Sequence, residues 1–105
     1  MKIVNRVRYV DDANRVAAVR PVHRAYMAEL GEQGRLVAGG PFADGSGALF
    51  IYEADGLDTA EAIFAKDPYV LNGVVAGHIM EIWNIVSVYP DRFPEEIRRP
   101  VRKQP

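Results

Sequence analysis

The sequence predicts an α+β domain in which two helices lie on one face of a four-stranded antiparallel sheet. Three observations carry this prediction. Four segments are rich in β-branched and aromatic residues or alternate at strand period. Two other segments place apolar residues at helical spacing. Their order along the chain is β-α-β-β-α-β, which right-handed crossovers fold into a split β-α-β sheet with both helices on the same side.

The first strand spans Ile3 to Val10, with Ile3, Val7 and Tyr9 on one face and Val4, Arg6, Arg8 and Val10 on the other. Asp11-Asp12-Ala13-Asn14 breaks it. Pro21 favours a helix start, because proline is tolerated in a first turn and poorly in an interior. The main helix is therefore expected from Pro21 to Glu32, with Val22, Ala25, Tyr26 and Leu30 as its apolar stripe and Gly34 as its stop. Leu36 to Phe42 is the second strand, although its Gly39-Gly40-Pro41 does not suit a central ladder. Ala43-Asp44-Gly45-Ser46-Gly47 is a turn by composition, and Ala48 to Glu53 completes a hairpin. Leu57 to Lys66 is the second helix, with Asp58 or Thr59 as the expected cap. Asp67-Pro68 ends it, and Pro68 to Asn72 makes a further turn closed by Gly73. Ile79 to Val88 is the last strand. Ile79, Glu81, Trp83 and Ile85 alternate there with Met80, Ile82, Asn84 and Val86, so one face goes to the core and the other to a partner. Residues 1–88 form the domain. Residues 89–105 read as a proline-rich, charged arm with a short helix around Glu95 to Arg99.

This arrangement is the ferredoxin-like one. A 105-residue chain is one domain, and a domain of that size buries about two-thirds of its unfolded surface. Its open sheet face needs a cover, and a second subunit is the economical one. Composition excludes several function classes. The net charge is −1, which selects neither nucleic acid nor an acidic membrane. The absence of cysteine removes thiolate metal sites, disulfides and a cysteine nucleophile. The N-terminal residues turn polar too early for a signal peptide, and no apolar run nears the roughly 18 residues of a membrane span. The expectation is a cytoplasmic protein with no membrane or nucleic-acid partner.

With no cysteine, the two histidines are the first candidates for chemistry near neutral pH. At the expected helix start, the helix dipole disfavours the charged ring of His23 and leaves it suited to general-base work. The structural reading of the same residue is a partly buried ring bonded to a loop carbonyl. Asp67 before Pro68 is a natural cap for the next turn. Equally, its carboxylate would orient a histidine. His78 is expected at a strand end without a partner, and Ser46 as a turn residue. Arg20 suits a ligand carboxylate or hydroxyl, or a surface ion pair. Tyr69 and Trp83 suit a core or an interface. Two histidines without ligand spacing are a weak case for metal, and none is expected.

Arg20-Pro21-Val22-His23, Glu32-Gln33-Gly34-Arg35-Leu36, Gly40-Pro41, Asp67-Pro68-Tyr69-Val70 and Gly73-Val74, in this order and spacing, resemble the YciI-like (YCII-related) family. The resemblance runs from the first strand to about Val86. It implies a dimeric α+β barrel of ferredoxin-like units, similar to muconolactone isomerases and small antibiotic-biosynthesis monooxygenases. It also implies that His23 and Asp67 are a catalytic pair. Some members are associated with dehydrochlorination of hydroxylated aromatics. Family serines near the third strand map to Ala48, so a serine role does not transfer. The leading expectation is a cofactor-free lyase or isomerase. Arg20, Gly39, Gly40, Pro41 and Tyr69 are its candidate substrate-binding residues. A non-catalytic ligand-binding or regulatory module is the alternative, and a haem or quinone redox enzyme is a third reading.

Overall fold

The computed structural model describes residues 1–98. Its elements are β1 (Lys2–Tyr9), α1 (Ala13–Glu32), β2 (Leu36–Pro41), β3 (Gly47–Glu53), α2 (Leu57–Ala65), a one-turn α3 (Pro68–Leu71) and β4 (Val75–Ile82). A 3₁₀ turn (Pro90–Arg92) and α4 (Glu95–Arg98) follow. The arm anticipated over 89–105 is therefore described only as far as 98.

The sheet order is β2-β3-β1-β4, and every pairing is antiparallel. This is the ferredoxin-like order expected from the sequence, with β1 and β3 central and β2 and β4 at the edges. The edge position explains how β2 accommodates Pro41, whose missing N–H faces no ladder partner. Ile3, Asn5, Val7 and Tyr9 turn one face of β1 towards the helices. Phe50 and Tyr52 of β3 join them, and Val16 and Leu30 of α1 with Ile63 and Phe64 of α2 close the core. The opposite face carries Val4, Arg6 and Arg8 of β1, Leu49 and Ile51 of β3, and Ile79 and Glu81 of β4, as the pairing register requires.

The main helix corrects the expectation most. It begins at Ala13, eight residues before Pro21, because Asp12 caps it by accepting the Arg15 N–H. Pro21 sits inside a 20-residue helix. It deprives the Ala17 carbonyl of a donor, but both residues lie on the exposed side, where water replaces the bond. The buried stripe is Val16, His23 and Leu30, flanked by Val19, Tyr26 and Met27. It is rotated from the expected one, and Val22 is exposed. The stop is as expected. Gly34 takes φ +74°, and the Arg35 and Gly34 amides bond back to Leu30 and Gly31 in a Schellman closure.

Two smaller differences have similar causes. Gly56 is the N-cap of α2 and supplies no side-chain bond, so neither Asp58 nor Thr59 caps it. β4 starts at Val75, four residues earlier than expected, because β1 offers ladder partners down to Tyr9 once Gly73 and Val74 have turned the chain. It ends at Ile82, and only the Trp83 amide extends the pairing, to the Lys2 carbonyl. No helix among the described residues is long and apolar enough to cross a membrane.

Candidate active site

His23 lies in the middle of α1, on its buried stripe, and the structure brings Asp67 to it. His23 Nδ1 and Asp67 Oδ1 are 2.8 Å apart. An ionised carboxylate only accepts, so Nδ1 donates and Nε2 is left as the basic nitrogen. The mid-helix position removes the argument from a helix start, since the terminal dipole acts within the first turn. The carboxylate orients the ring in its place.

Asp67 answers both of its sequence readings at once. It is the N-cap of α3, and the same Oδ1 accepts the Tyr69 N–H at 2.9 Å. Pro68 at the first helical position fixes the turn. The residue is fully buried, and its second oxygen, Oδ2, has no hydrogen-bond partner among the described residues.

Aromatic rings form the walls. The Tyr69 ring stacks on His23 with centroids 3.9 Å apart, and Phe50 meets the imidazole at 5.3 Å. Tyr9 packs edge-on against Tyr69. Burial pushes the Tyr9 phenol well above its usual range, the neighbouring Tyr69 adds to this, and Arg20 opposes it. Tyr52 is raised by burial too, against a hydrogen bond from Asn5. Burial thus keeps the Tyr9 and Tyr52 phenols neutral. Tyr26, raised chiefly by burial, donates to the Ile63 carbonyl and ties α1 to the end of α2.

The other predicted residues divide. Tyr69 is 1% exposed, so its reach is to the ring of His23 and not to open space. Arg20 is one helical turn before His23, half-buried and beside Tyr9. Gly39 touches the site through Phe50, because a Cβ there would lie 2.9 Å from Phe50 Cδ1. Gly40 and Pro41 are exposed on the edge strand, and Gly40 shares the open sheet face with Leu49. Ser46 is in the turn, its amide bonded to Asp44. His78 has a partner after all. It lies within β4, its Nε2 is 2.9 Å from Glu61, and its ring packs on Phe64.

Sequence reasoning missed Asn5, Phe50 and Tyr52. Asn5 had a signal, being a polar residue at a core position of β1 between Ile3 and Val7. It is fully buried, with its Nδ2 on the Tyr52 hydroxyl and its Oδ1 without a partner among the described residues. Phe50 and Tyr52 had none, since an aromatic on a strand looks like core wherever it points. Two concavities of the surface lie elsewhere. One is between α2 and β4, at Glu61, Phe64 and His78, and the other is where the β2–β3 turn meets β1 and β4. Neither includes His23 or Asp67. No three His, Asp or Glu side chains gather for a metal among the described residues.

Known structures agree with the architecture. The 5-chloro-2-hydroxyhydroquinone dehydrochlorinase TftG of Burkholderia phenoliruptrix, solved with 2,5-dihydroxybenzoquinone, superposes with a TM-score of 0.70. The match covers 80% of this chain and 94% of that one at 23% identity. The protein At3g17210 of Arabidopsis thaliana matches with a TM-score of 0.50 over 84% of this chain and 97% of that one, at 12% identity. No curated protein matches in sequence. These likenesses show the fold. The profile of the YCII-related domain matches residues 1–84, from the first strand through the last and across both residues of the buried pair. The chain therefore belongs to the YCII-related domain family.

Proposed function

We propose that the chain is a cofactor-free lyase or isomerase in which His23 is the general base and Asp67 orients it. The observation that carries this reading is the 2.8 Å hydrogen bond between the two, inside an aromatic enclosure. With Nδ1 held by the carboxylate, Nε2 takes the proton and Asp67 stabilises the imidazolium that forms. A positioned base of this kind contributes about 10²–10⁴-fold. The substrate class is a small hydroxylated aromatic, supported by the family and by the likeness to a dehydrochlorinase.

In an elimination, Nε2 takes a proton from a ring hydroxyl or an activated C–H. The substrate reacts as its keto tautomer, in which one hydroxyl hydrogen has moved to the chlorine-bearing carbon, and the released electron pair then forms a carbonyl, moves through the conjugated ring and expels chloride from that carbon with its bonding pair. The proton and the chloride together are the HCl lost, and no external oxidant is needed. Arg20 and the amide of Gly39 are the groups we assign to the developing oxyanion, since the Gly40 amide belongs to the ladder with Leu49. Pro41 shapes the same strand edge, and Tyr69 holds the base from below. The test is chloride release from a chlorinated hydroxyhydroquinone. His23→Ala and His23→Gln should abolish it, and turnover surviving in folded His23→Ala would sink the mechanism. A ligand bound tightly yet recovered unchanged from the native protein would favour the binding-module reading instead.

We further propose that the protein works as a homodimer joined through the open sheet face. Val4, Leu49, Ile51 and Ile79 make that face apolar, and Ile79 is 63% exposed in the single chain. Sedimentation should report a dimer at micromolar concentration, and a monomer there would overturn this assignment.

A further inference from the structure

We propose that Asn5 and Tyr52 are positioning residues for the buried pair, holding the second oxygen of the Asp67 carboxylate through one shared water. The assignment deepens the proposed function and rests on it. Among the described residues three polar side chains are buried: Asn5, His23 and Asp67. The last two are bonded to each other. Asn5 stands in the middle of the core face of β1, directly opposite Phe50 on β3. Phe50 packs on the His23 ring at 5.3 Å and lies beside Tyr52, with centroids 6.4 Å apart. Asn5 and Tyr52, joined by a hydrogen bond of 3.2 Å, therefore stand on the sheet side of the same aromatic enclosure.

Donors and acceptors do not balance there without a further contact. Asp67 meets His23 Nδ1 and the Tyr69 amide through Oδ1 alone, and Oδ2 is sealed from solvent without a partner among the described residues. Asn5 Oδ1 is the other sealed atom in that condition. Both are acceptors, so neither satisfies the other. Buried polar atoms are seldom left this way, because desolvation without a bond is costly. Tyr52 has a donor to offer. Its oxygen accepts from Asn5 Nδ2, and its own proton has no partner among the described residues. Burial keeps that proton on the phenol against the Asn5 bond, and Asp67 lies near enough to act in the same direction. One donor cannot serve two acceptors. A water that accepts from Tyr52 and donates to Asp67 Oδ2 and Asn5 Oδ1 balances all three, with the roughly three bonds usual for a buried water. The consequence for the base is angular. With both direct bonds on Oδ1, the carboxylate can turn about its Cβ–Cγ bond. A fixed Oδ2 sets its plane, and with it the direction of His23 Nε2.

The experiment compares the full chain with Tyr52→Phe, Asn5→Leu and the double variant, by nitrogen NMR of the His23 ring and by water-to-protein cross-peaks. In the native protein a long-lived water should show a cross-peak to the Asn5 amide protons. In each variant the His23 Nδ1 proton should exchange about tenfold faster, the worth of one hydrogen bond, and the preference for the Nδ1–H form should weaken. The double variant replaces both partners by apolar groups of similar size. Its denaturation midpoint should return towards the native one while the ring stays perturbed. Leu30→Ala, a core truncation on the same helix, should lower the midpoint and leave the tautomer preference at its native value. An unchanged ring in Tyr52→Phe, a ring that recovers with stability in the double variant, a ring equally disturbed by Leu30→Ala, or no bound water at Asn5 would each overturn the assignment. None of these readouts needs a substrate. The expected ring response in a protein that releases no chloride would therefore count against the proposed lyase and in favour of this contact.

Discussion

The molecule contains two histidine–carboxylate pairs with nearly the same spacing, 2.8 Å for His23–Asp67 and 2.9 Å for His78–Glu61. Their surroundings differ. The side chains of the first are 7% and 0% exposed, and those of the second 31% and 50%. The buried pair joins the middle of α1 to the cap of α3 and is walled by Tyr69 and Phe50. The exposed pair bridges β4 and α2 over Phe64, with water on its open side. A short N···O distance is therefore not what marks a site. In the buried pair the polar atoms lie in low dielectric with few partners, so each partner matters. In the exposed pair solvent replaces whatever is removed.

Breaking each pair should separate them by the largest margin available. His23→Ala leaves the Asp67 carboxylate buried without its main partner, and should cost about 3–5 kcal/mol of stability. A denaturant midpoint shift of that size is the check, and a loss under about 1 kcal/mol would place the two pairs in one class. Asp67→Asn is gentler. The amide oxygen still caps α3 and still accepts from Nδ1, so the expected loss is about 1–3 kcal/mol. Its sharper readout is the ring. With the carboxylate gone, nitrogen NMR should show a weaker preference for the Nδ1–H form of His23, together with a fall in any turnover that exceeds the loss of folded protein.

The buried side of this contrast was partly present in the sequence, and the exposed side was not, because His78 was expected without a partner. Element order, the Gly34 stop and the Asp67-Pro68 turn are local chemistry, and a single chain displays local chemistry directly. Asp67 was legible both as a cap and as a partner for a histidine. Choosing between the two was unnecessary, because one oxygen serves both bonds. The start of α1 was not legible from Pro21, since a tolerated interior proline depends on which side of the helix meets water. That single misplacement carried the apolar stripe and the dipole argument with it. Phe50 reaches His23 on α1 from β3, and the pairing of His78 with Glu61 spans β4 and α2. Both contacts belong to packing, which spacing along the chain does not encode.

Gly39 tests how tightly the buried pair is supported from outside. Alanine there would place a Cβ 2.9 Å from the Phe50 ring, which itself packs on His23. Overpacking of this kind costs about 1–3 kcal/mol. The ring resonances of Phe50 and His23 should shift together. If Phe50 moves and His23 does not, the enclosure is looser than the aromatic contacts imply. On the exposed side, His78→Ala and Glu61→Gln should each change stability by no more than about 1 kcal/mol, and added salt should shrink the difference further. A larger, salt-resistant effect would mean that Phe64 shields this pair more than its exposure suggests.

The smallest expected effect belongs to Glu53, an exposed carboxylate that extends the comparison to acid pH. Lys2 and the terminal amine of Met1 both hydrogen-bond it, and these bonds hold its pKa at about 2 against an ordinary 4.5. A carboxylate with a depressed folded-state pKa stabilises the fold above its unfolded value and loses that contribution as pH falls through the folded one. The contribution is thus complete above about pH 4.5 and gone near pH 2. Glu53→Gln should flatten the stability profile in that window and leave it unchanged near neutrality apart from a constant offset. High salt should flatten the native profile in the same way, because solvent and ions reach this pair freely. If the native profile kept its slope in high salt, the carboxylate responsible would be a shielded one, and the acid sensitivity of the fold would have to be sought at the buried pair.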